Sequence, residues 1–224
     1  MNEEIAPYYE PWEGPRFRSD PHAGVKLLLM GESSYKRGPE HASPPDHLRS
    51  DTQRLVDGNF YGGAKSSGFW RYIQRSVSGE QEITAASQQL FWSGVALANV
   101  VQRPMENSKA RPAPVDYVEG AKTIRSYIET LTPRALIIYT KSAWTAVHSA
   151  CQLEAVGRSA LCEQAQTPPI LKESGIYWRS GVLGENSPWF LLVQHPSARR
   201  PRIAGRIWYE LIGPFLDCVR HRAN

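Results

Sequence analysis

The chain has 224 residues, of which 41% are hydrophobic and 21% charged, and its formal net charge is +4. This length allows one sizeable core but is short for two, and the composition is ordinary for a globular domain. No apolar run approaches the roughly 20 residues needed to cross a bilayer, and the acidic start does not fit a signal peptide. We therefore expect a cytoplasmic protein with one domain over residues 1–224, in which residues 1–24 form an irregular N-terminal segment.

Apolar patterns along the chain predict alternating strands and helices. Short apolar runs bounded by turn residues predict buried strands at 26–30, 94–101, 135–139 and 189–194. Apolar residues at helical spacing predict helices at 67–73, 118–131, 144–151 and 203–216, the last with a candidate interruption at Gly213-Pro214. This alternation is typical of an α/β fold, and we expect a three-layer α/β/α sandwich around a central four-stranded, mainly parallel sheet.

Two long segments, 36–63 and 155–173, are predicted to be irregular. The first contains several turn signals, among them Gly38-Pro39 and Asp57-Gly58. A long loop of this kind is more often functional than idle when it lies beside a cleft.

Polar residues follow each predicted strand at its carboxyl end. They are residues 31–35 (Gly-Glu-Ser-Ser-Tyr), 99–103, Thr140 with Lys141, and 195–200 (His-Pro-Ser-Ala-Arg-Arg). In open parallel sheets, ligands bind just beyond the carboxyl ends of the strands. We therefore expect these residues to meet in one cleft. Taken alone, His195 is more typical of a structural hydrogen-bond partner than of a catalyst.

Metal and disulfide sites are not predicted. Three cysteines, Cys151, Cys162 and Cys218, are odd in number and widely spaced, which fits neither a disulfide framework nor a CxxC metal site. A metal could in principle be bound by a second set of side chains, those of Glu40, His41, Asp46 and His47. The spacing of these four residues matches no known metal-binding pattern. Nucleotide-binding glycine motifs are also missing from the sequence, so we expect no metal and no cofactor.

Three ordered motifs together resemble the uracil-DNA glycosylase superfamily over about residues 25 to 215. Residues 31–35 resemble its first motif, and His195-Pro196-Ser197 resembles its later His-Pro-Ser motif. Residues 98–104 (Ala-Asn-Val-Val-Gln-Arg-Pro), followed by Asn107, Arg111 and Pro112, resemble a segment of the thermophilic iron–sulfur branch. The four cysteines that hold the cluster in that branch are missing from this sequence, so no iron–sulfur cluster is expected.

The resemblance implies a role for each motif. His195 would donate a hydrogen bond to the base as it departs, stabilising charge that develops only in the transition state. Asn99 would read the edge of the flipped base, since an amide offers one donor group and one acceptor. Phe60, or Tyr61, would stack on that base, and Tyr35 would pack against its C5 position, which favours uracil over thymine.

Two positions depart from the family pattern. Ser33 stands where the best-known branch has the aspartate that positions water, and Glu32 matches the Gly-Glu pair of the iron–sulfur branch. Glu32 is therefore the candidate water activator, although a surface carboxylate or a salt-bridge partner would also account for it. Arg199 and Arg200 replace the apolar wedge of most relatives and resemble the single-strand-selective monofunctional branch.

Basic residues are concentrated toward the C-terminus. After His195 the chain has six arginines and only two acidic residues, Glu210 and Asp217. The arginines are Arg199, Arg200, Arg202, Arg206, Arg220 and Arg222. A guanidinium binds phosphate oxygens in pairs, although a solvated basic helix face would have the same composition. We expect Ser197, Arg199, Arg200 and Lys141 to contact DNA.

These observations predict a monomeric, monofunctional DNA glycosylase that removes a pyrimidine, uracil or a modified base. One alternative is a glycosylase for hypermodified cytosine in phage DNA, acting in antiviral defence, which would account for the departures and the long 36–63 loop. A second is a catalytically inactive module that binds DNA, suggested by Ser33. A third is a hydrolase of free nucleosides or nucleotides. The sequence leaves the excised base open.

Overall fold

A computed structural model describes residues 9–35, 50–60, 68–107, 109–155, 179–182, 188–195 and 201–221. The strands among them are β1 (Trp12–Glu13), β2 (Leu27–Gly31), β3 (Ala96–Asn99), β4 (Ala135–Ile138), β5 (Glu154–Ala155), β6 (Arg179–Val182) and β7 (Trp189–Leu192). The α-helices are α1 (Asp51–Phe60), α2 (Gly68–Ser78), α3 (Ala85–Ser93), α4 (Pro114–Leu131), α5 (Trp144–Cys151) and α6 (Pro201–His221). Short 3-10 helices span His22–Gly24 and Lys141–Ala143.

All seven strands form one sheet in the order β1-β3-β2-β4-β7-β6-β5. The central strands β3, β2, β4 and β7 are parallel, whereas β6, β5 and β1 add antiparallel pairs at the two sides. The predicted α/β class and the four predicted strands are therefore confirmed. The predicted strand number is wrong, because β6 is a fifth strand of four residues and the two-residue strands β1 and β5 flank the sheet. The sequence of β6, Arg-Ser-Gly-Val, has no apolar run that could have predicted it.

Side chains alternate between the two faces of the sheet, as the period of a strand requires. In β2, Leu27 and Leu29 belong to one hydrophobic core, and Leu28 and Met30 belong to a second core on the opposite face. Helices α1, α2, α3 and α6 contribute to the first core, and α4 and α5 contribute to the second. Helices therefore pack on both faces of the sheet, and they bury the side chains of the central strands β2, β4 and β7.

Three helices differ from the sequence-based expectations. Helix α1 lies within the 36–63 segment that was expected to be irregular; the burial of Thr52 and Val56 there overrides the Asp57-Gly58 turn signal. Helix α3 was not predicted, although Thr84 and Ser87 form a reciprocal capping box at its start. Helix α6 continues through Pro214, because buried residues on both sides of the proline keep the helix packed on the sheet.

Within the described residues, no helix combines the length and apolar character that a membrane span requires.

Candidate active site at the carboxyl edge of the sheet

The chain after β2 stays paired with the chain after β3. Backbone N–H groups of Val100, Val101 and Met105 donate to the carbonyls of Gly31, Glu32 and Ser34, at 3.0, 2.9 and 2.9 Å. We call residues 100–113, which run from the end of β3 to the start of α4, the strap. Because the strap continues the pairing beyond the regular strands, it holds the predicted 31–35 motif against the edge of the sheet.

Gly31 and Asn99 are neighbours across the β2–β3 pair. A Cβ atom at position 31 would lie 2.5 Å from Asn99 Oδ1, well inside any real contact distance. The Asn99 side chain therefore occupies the space beside Gly31, and a larger residue at position 31 would displace it. The first residues of the 31–35 and 99–103 segments, which the sequence analysis expected to meet at this edge, are therefore direct neighbours.

The Glu32 carboxylate is buried, with 9% of the residue exposed. Its Oε1 atom accepts hydrogen bonds from Tyr117 Oη on α4 and from Thr140 Oγ1 after β4, both at 2.7 Å. Within the described part of the chain, no group donates to Oε2. Glu32 is therefore not a surface carboxylate, and among the described residues its hydrogen bonds are made by Oε1 alone.

Helix α4 places Tyr117 through two local features. Asp116 Oδ2 accepts the Ala113 N–H at 2.7 Å at the start of the helix. One turn further on, a Cβ on Gly120 would lie 1.9 Å from the Val100 carbonyl oxygen, so only glycine lets the helix approach the strap this closely. Burial, together with the adjacent Glu32 carboxylate, raises the pKa of Tyr117 to about 12, so the phenol stays protonated and donates.

His195 follows β7 and is half-buried. Its ring stacks on Phe69 of α2, with the ring centroids 5.8 Å apart and an interplanar angle of 30°. Burial lowers the pKa of His195 below its ordinary 6.5; the charge of Glu32 opposes this effect and that of Arg111 adds to it. The imidazole is therefore neutral at pH 7 and lies within the electrostatic reach of Glu32.

The other predicted site residues are placed as follows. The hydroxyl oxygens of Ser33 and Ser34 are buried and have no hydrogen-bond partner among the described residues. Tyr35 pairs with Met105 and packs against the second core. Lys141 is exposed at the start of the 3-10 helix beyond β4.

Several predictions lie outside the described residues. Phe60 ends α1, but its side chain is not described, and Tyr61 is not described at all. The predicted DNA contacts at Ser197, Arg199 and Arg200 lie in the undescribed segment 196–200. The four residues considered for a metal site, Glu40, His41, Asp46 and His47, also fall outside.

Sequence reasoning did not identify Tyr117 or Phe69 as site residues, and it named Arg111 only as part of the motif that follows β3. Tyr117 shares the buried face of α4 with Ala121 and Ile124, and this position is the one signal that it points inward. Phe69 lies in the predicted helix 67–73 and was given no role in the site. Local patterns could not have revealed the Tyr117–Glu32 hydrogen bond or the Phe69–His195 ring contact.

Among the described residues, no group of three or more His, Cys, Asp or Glu is arranged to hold a metal ion. The edge instead combines a buried, half-satisfied carboxylate, a neutral imidazole and an amide. The structure thus defines an α/β protein that brings a buried carboxylate and a half-buried imidazole to the carboxyl ends of its parallel strands. No protein-family model matches the chain, and a search of curated proteins finds no match either.

Proposed function

We propose that this chain is a monofunctional DNA glycosylase with a three-layer α/β/α fold, which hydrolyses the N-glycosidic bond of a flipped pyrimidine. The observation that supports the proposal most strongly is the placement of Glu32 and His195 at the same edge of the sheet, after β2 and β7. The two residues come from the ends of different parallel strands, and the charge of one acts on the other. The motif resemblance adds the substrate class.

Glu32 is suited to activate water. Tyr117 and Thr140 hold Oε1, so the orientation of the carboxylate is set by two directional contacts. A water on Oε2 would lose a proton to the carboxylate as its oxygen attacks C1′ of the sugar. The C1′–N bond breaks and its electron pair leaves with the base, which gives an abasic sugar and a free base once the proton is returned.

His195 and Asn99 are suited to the base. A neutral imidazole has one N–H group, which can donate a hydrogen bond to a base oxygen on which negative charge develops. Stacking on Phe69 sets the plane of that ring. Asn99, fixed beside Gly31, offers the amide that would read the base edge.

The excised base is uracil in our proposal, on account of Tyr35. The partner is DNA, and flipping the base out of the duplex costs a few kcal/mol, which stacking and edge contacts must repay. Modified cytosine is the second substrate to test, because Ser33 and Ser34 bring two buried hydroxyls without described partners to this edge.

An excision assay under single-turnover conditions tests the proposal. The substrates are single- and double-stranded oligonucleotides with one uracil, and phage DNA with hydroxymethylated or glucosylated cytosine; alkaline cleavage then reveals abasic sites. His195→Ala should lower the excision rate by several orders of magnitude, on the scale of about 10²–10⁴ for a lost transition-state donor. His148→Ala is the control, since His148 contacts Trp144 on α5 and should leave the rate unchanged.

Each outcome has a distinct meaning. Cleavage of uracil DNA supports the proposal as stated, and cleavage of phage DNA alone moves the substrate to modified cytosine. DNA binding without excision in wild type would favour the inactive binding module. Turnover of free nucleosides, with no dependence of binding on salt, would favour the nucleoside hydrolase.

A further inference from the structure

The junction between the strap and α4 contains a bidentate ion pair between Arg103 and Asp116. Arg103 donates from Nε to Asp116 Oδ1 at 2.6 Å and from Nη2 to Asp116 Oδ2 at 2.7 Å. Oδ2 also accepts the Ala113 N–H. Asp116 therefore already accepts three hydrogen bonds, and the strap carries a second arginine that does not pair with it.

Arg111 is that second arginine, and its backbone is held on both sides. Before it, Asn107 Oδ1 accepts the N–H groups of Lys109 and Ala110 at 2.9 and 3.1 Å, which forms a tight turn. After it, Ala113 is bound by Asp116. The Arg111 side chain itself is exposed, and no described residue forms a hydrogen bond or an ion pair with it.

Arg111 belongs to the strap, which is bound to the 31–35 motif: the Met105 N–H donates to the Ser34 carbonyl at 2.9 Å, and Met105 forms a β-bridge with Tyr35. Ala110, the residue before Arg111, packs against the second core. The positive charge of Arg111 also acts on His195. An exposed cation without a described protein partner, on a segment that is bound to the candidate site, is suited to an anionic ligand.

We propose that Arg111 binds a phosphodiester oxygen of the DNA backbone beside the nucleotide that is held at Glu32 and His195. This inference rests on the proposed function and adds a binding residue to it. The phosphate would replace water around the Arg111 guanidinium. The backbone on both sides of Arg111 is already held by hydrogen bonds. Binding of the flipped nucleotide and alignment of its sugar with Glu32 would then be coupled through one strap.

The test measures DNA affinity by fluorescence anisotropy over a series of NaCl concentrations. The probe is a duplex with a tetrahydrofuran abasic analogue, bound to wild type, Arg111→Gln, Arg111→Lys and Lys122→Gln. Lys122 is the matched control, because it is an exposed cation of α4 that pairs with Glu119. Thermal unfolding of each variant checks that the exposed substitutions leave the fold intact.

The slope of log affinity against log salt should be smaller by about 1 in Arg111→Gln, and affinity should fall by about tenfold at moderate salt. Arg111→Lys should keep the slope, and Lys122→Gln should match wild type. An unchanged slope in Arg111→Gln, with wild type still excising its base, would overturn this inference and leave the proposed function standing. A wild-type chain that neither binds nor cleaves DNA would overturn both.

Discussion

The two ends of the candidate site are held by different forces. Glu32 is fixed by two short hydrogen bonds, one from α4 and one from the end of β4. His195 is held by partial burial and by stacking on Phe69, with charges of opposite sign acting on it from Glu32 and Arg111.

This difference matches what each end would have to do. A base that removes a proton from water must point in one direction, and directional bonds achieve that. At the other end, burial lowers the pKa of His195, and the neutral imidazole still offers one N–H to a departing base. The comparison teaches that orientation and protonation are controlled separately in this site.

The largest effect is expected from Glu32→Gln. Gln keeps an oxygen for Tyr117 and Thr140 but cannot take a proton from water, so the single-turnover excision rate should fall by about 10²–10⁴. DNA affinity should stay within a fewfold of wild type. A variant that excises at the wild-type rate would remove Glu32 from the chemistry and leave His195 as the sole active group.

Gly120→Ala tests the close packing of α4 against the strap, which places Tyr117 beside Glu32. The added Cβ would lie 1.9 Å from the Val100 carbonyl, so α4 must move and the free energy of unfolding should fall by about 1–3 kcal/mol in urea titrations. Gly58→Ala in α1 is the matched control, because nothing lies within 4 Å of its Cβ. That variant should be more stable by about 0.5–1 kcal/mol. Equal changes in both variants would contradict the close approach of α4.

Tyr117→Phe removes one of the two donors to Glu32 and keeps the ring. With Thr140 still in place, the excision rate constant should fall by about tenfold, since a hydrogen bond to a charged group is worth about 1.5–3 kcal/mol, only part of which is expressed in the rate. KM should change little. Tyr127→Phe is the control, because Tyr127 donates to the Tyr9 carbonyl instead. If both variants lost stability but neither lost rate, Tyr117 would be a purely structural residue.

The smallest expected effect is the contribution of His195 to the pH dependence of the free energy of unfolding. Burial lowers the folded-state pKa of both His195 and His22 below 6.5, so the unfolded chain binds more protons as the pH falls through that value. The free energy of unfolding should therefore decrease between pH 7.5 and pH 5.5. The decrease should be smaller in His195→Gln and smaller again in the double variant with His22→Gln, as measured by urea titration at each pH. An identical decrease in all three proteins would show that other groups govern it.

Local sequence patterns predicted those strands and helices whose burial shows directly in the order of their apolar residues. The four parallel strands were recognisable because residues such as Leu27–Gly31 are buried on both faces and therefore uniformly apolar. Strand β6 and helix α3 were missed: β6 lacks an apolar run, and α3 has exposed Leu90 on its surface. The Asp57-Gly58 turn signal failed because packing of Val56 outweighed a local preference.

The sequence by itself determined the class of fold and the positions of Gly31, Glu32, Asn99 and His195 at strand ends, because periodicity and turn residues act within a few positions. Only the tertiary structure decided which residues support them. Tyr117 is 85 positions from Glu32, and Thr140 is 108 positions from it. Such contacts depend on how helices pack across the sheet, and packing is settled by the whole chain rather than by any one segment.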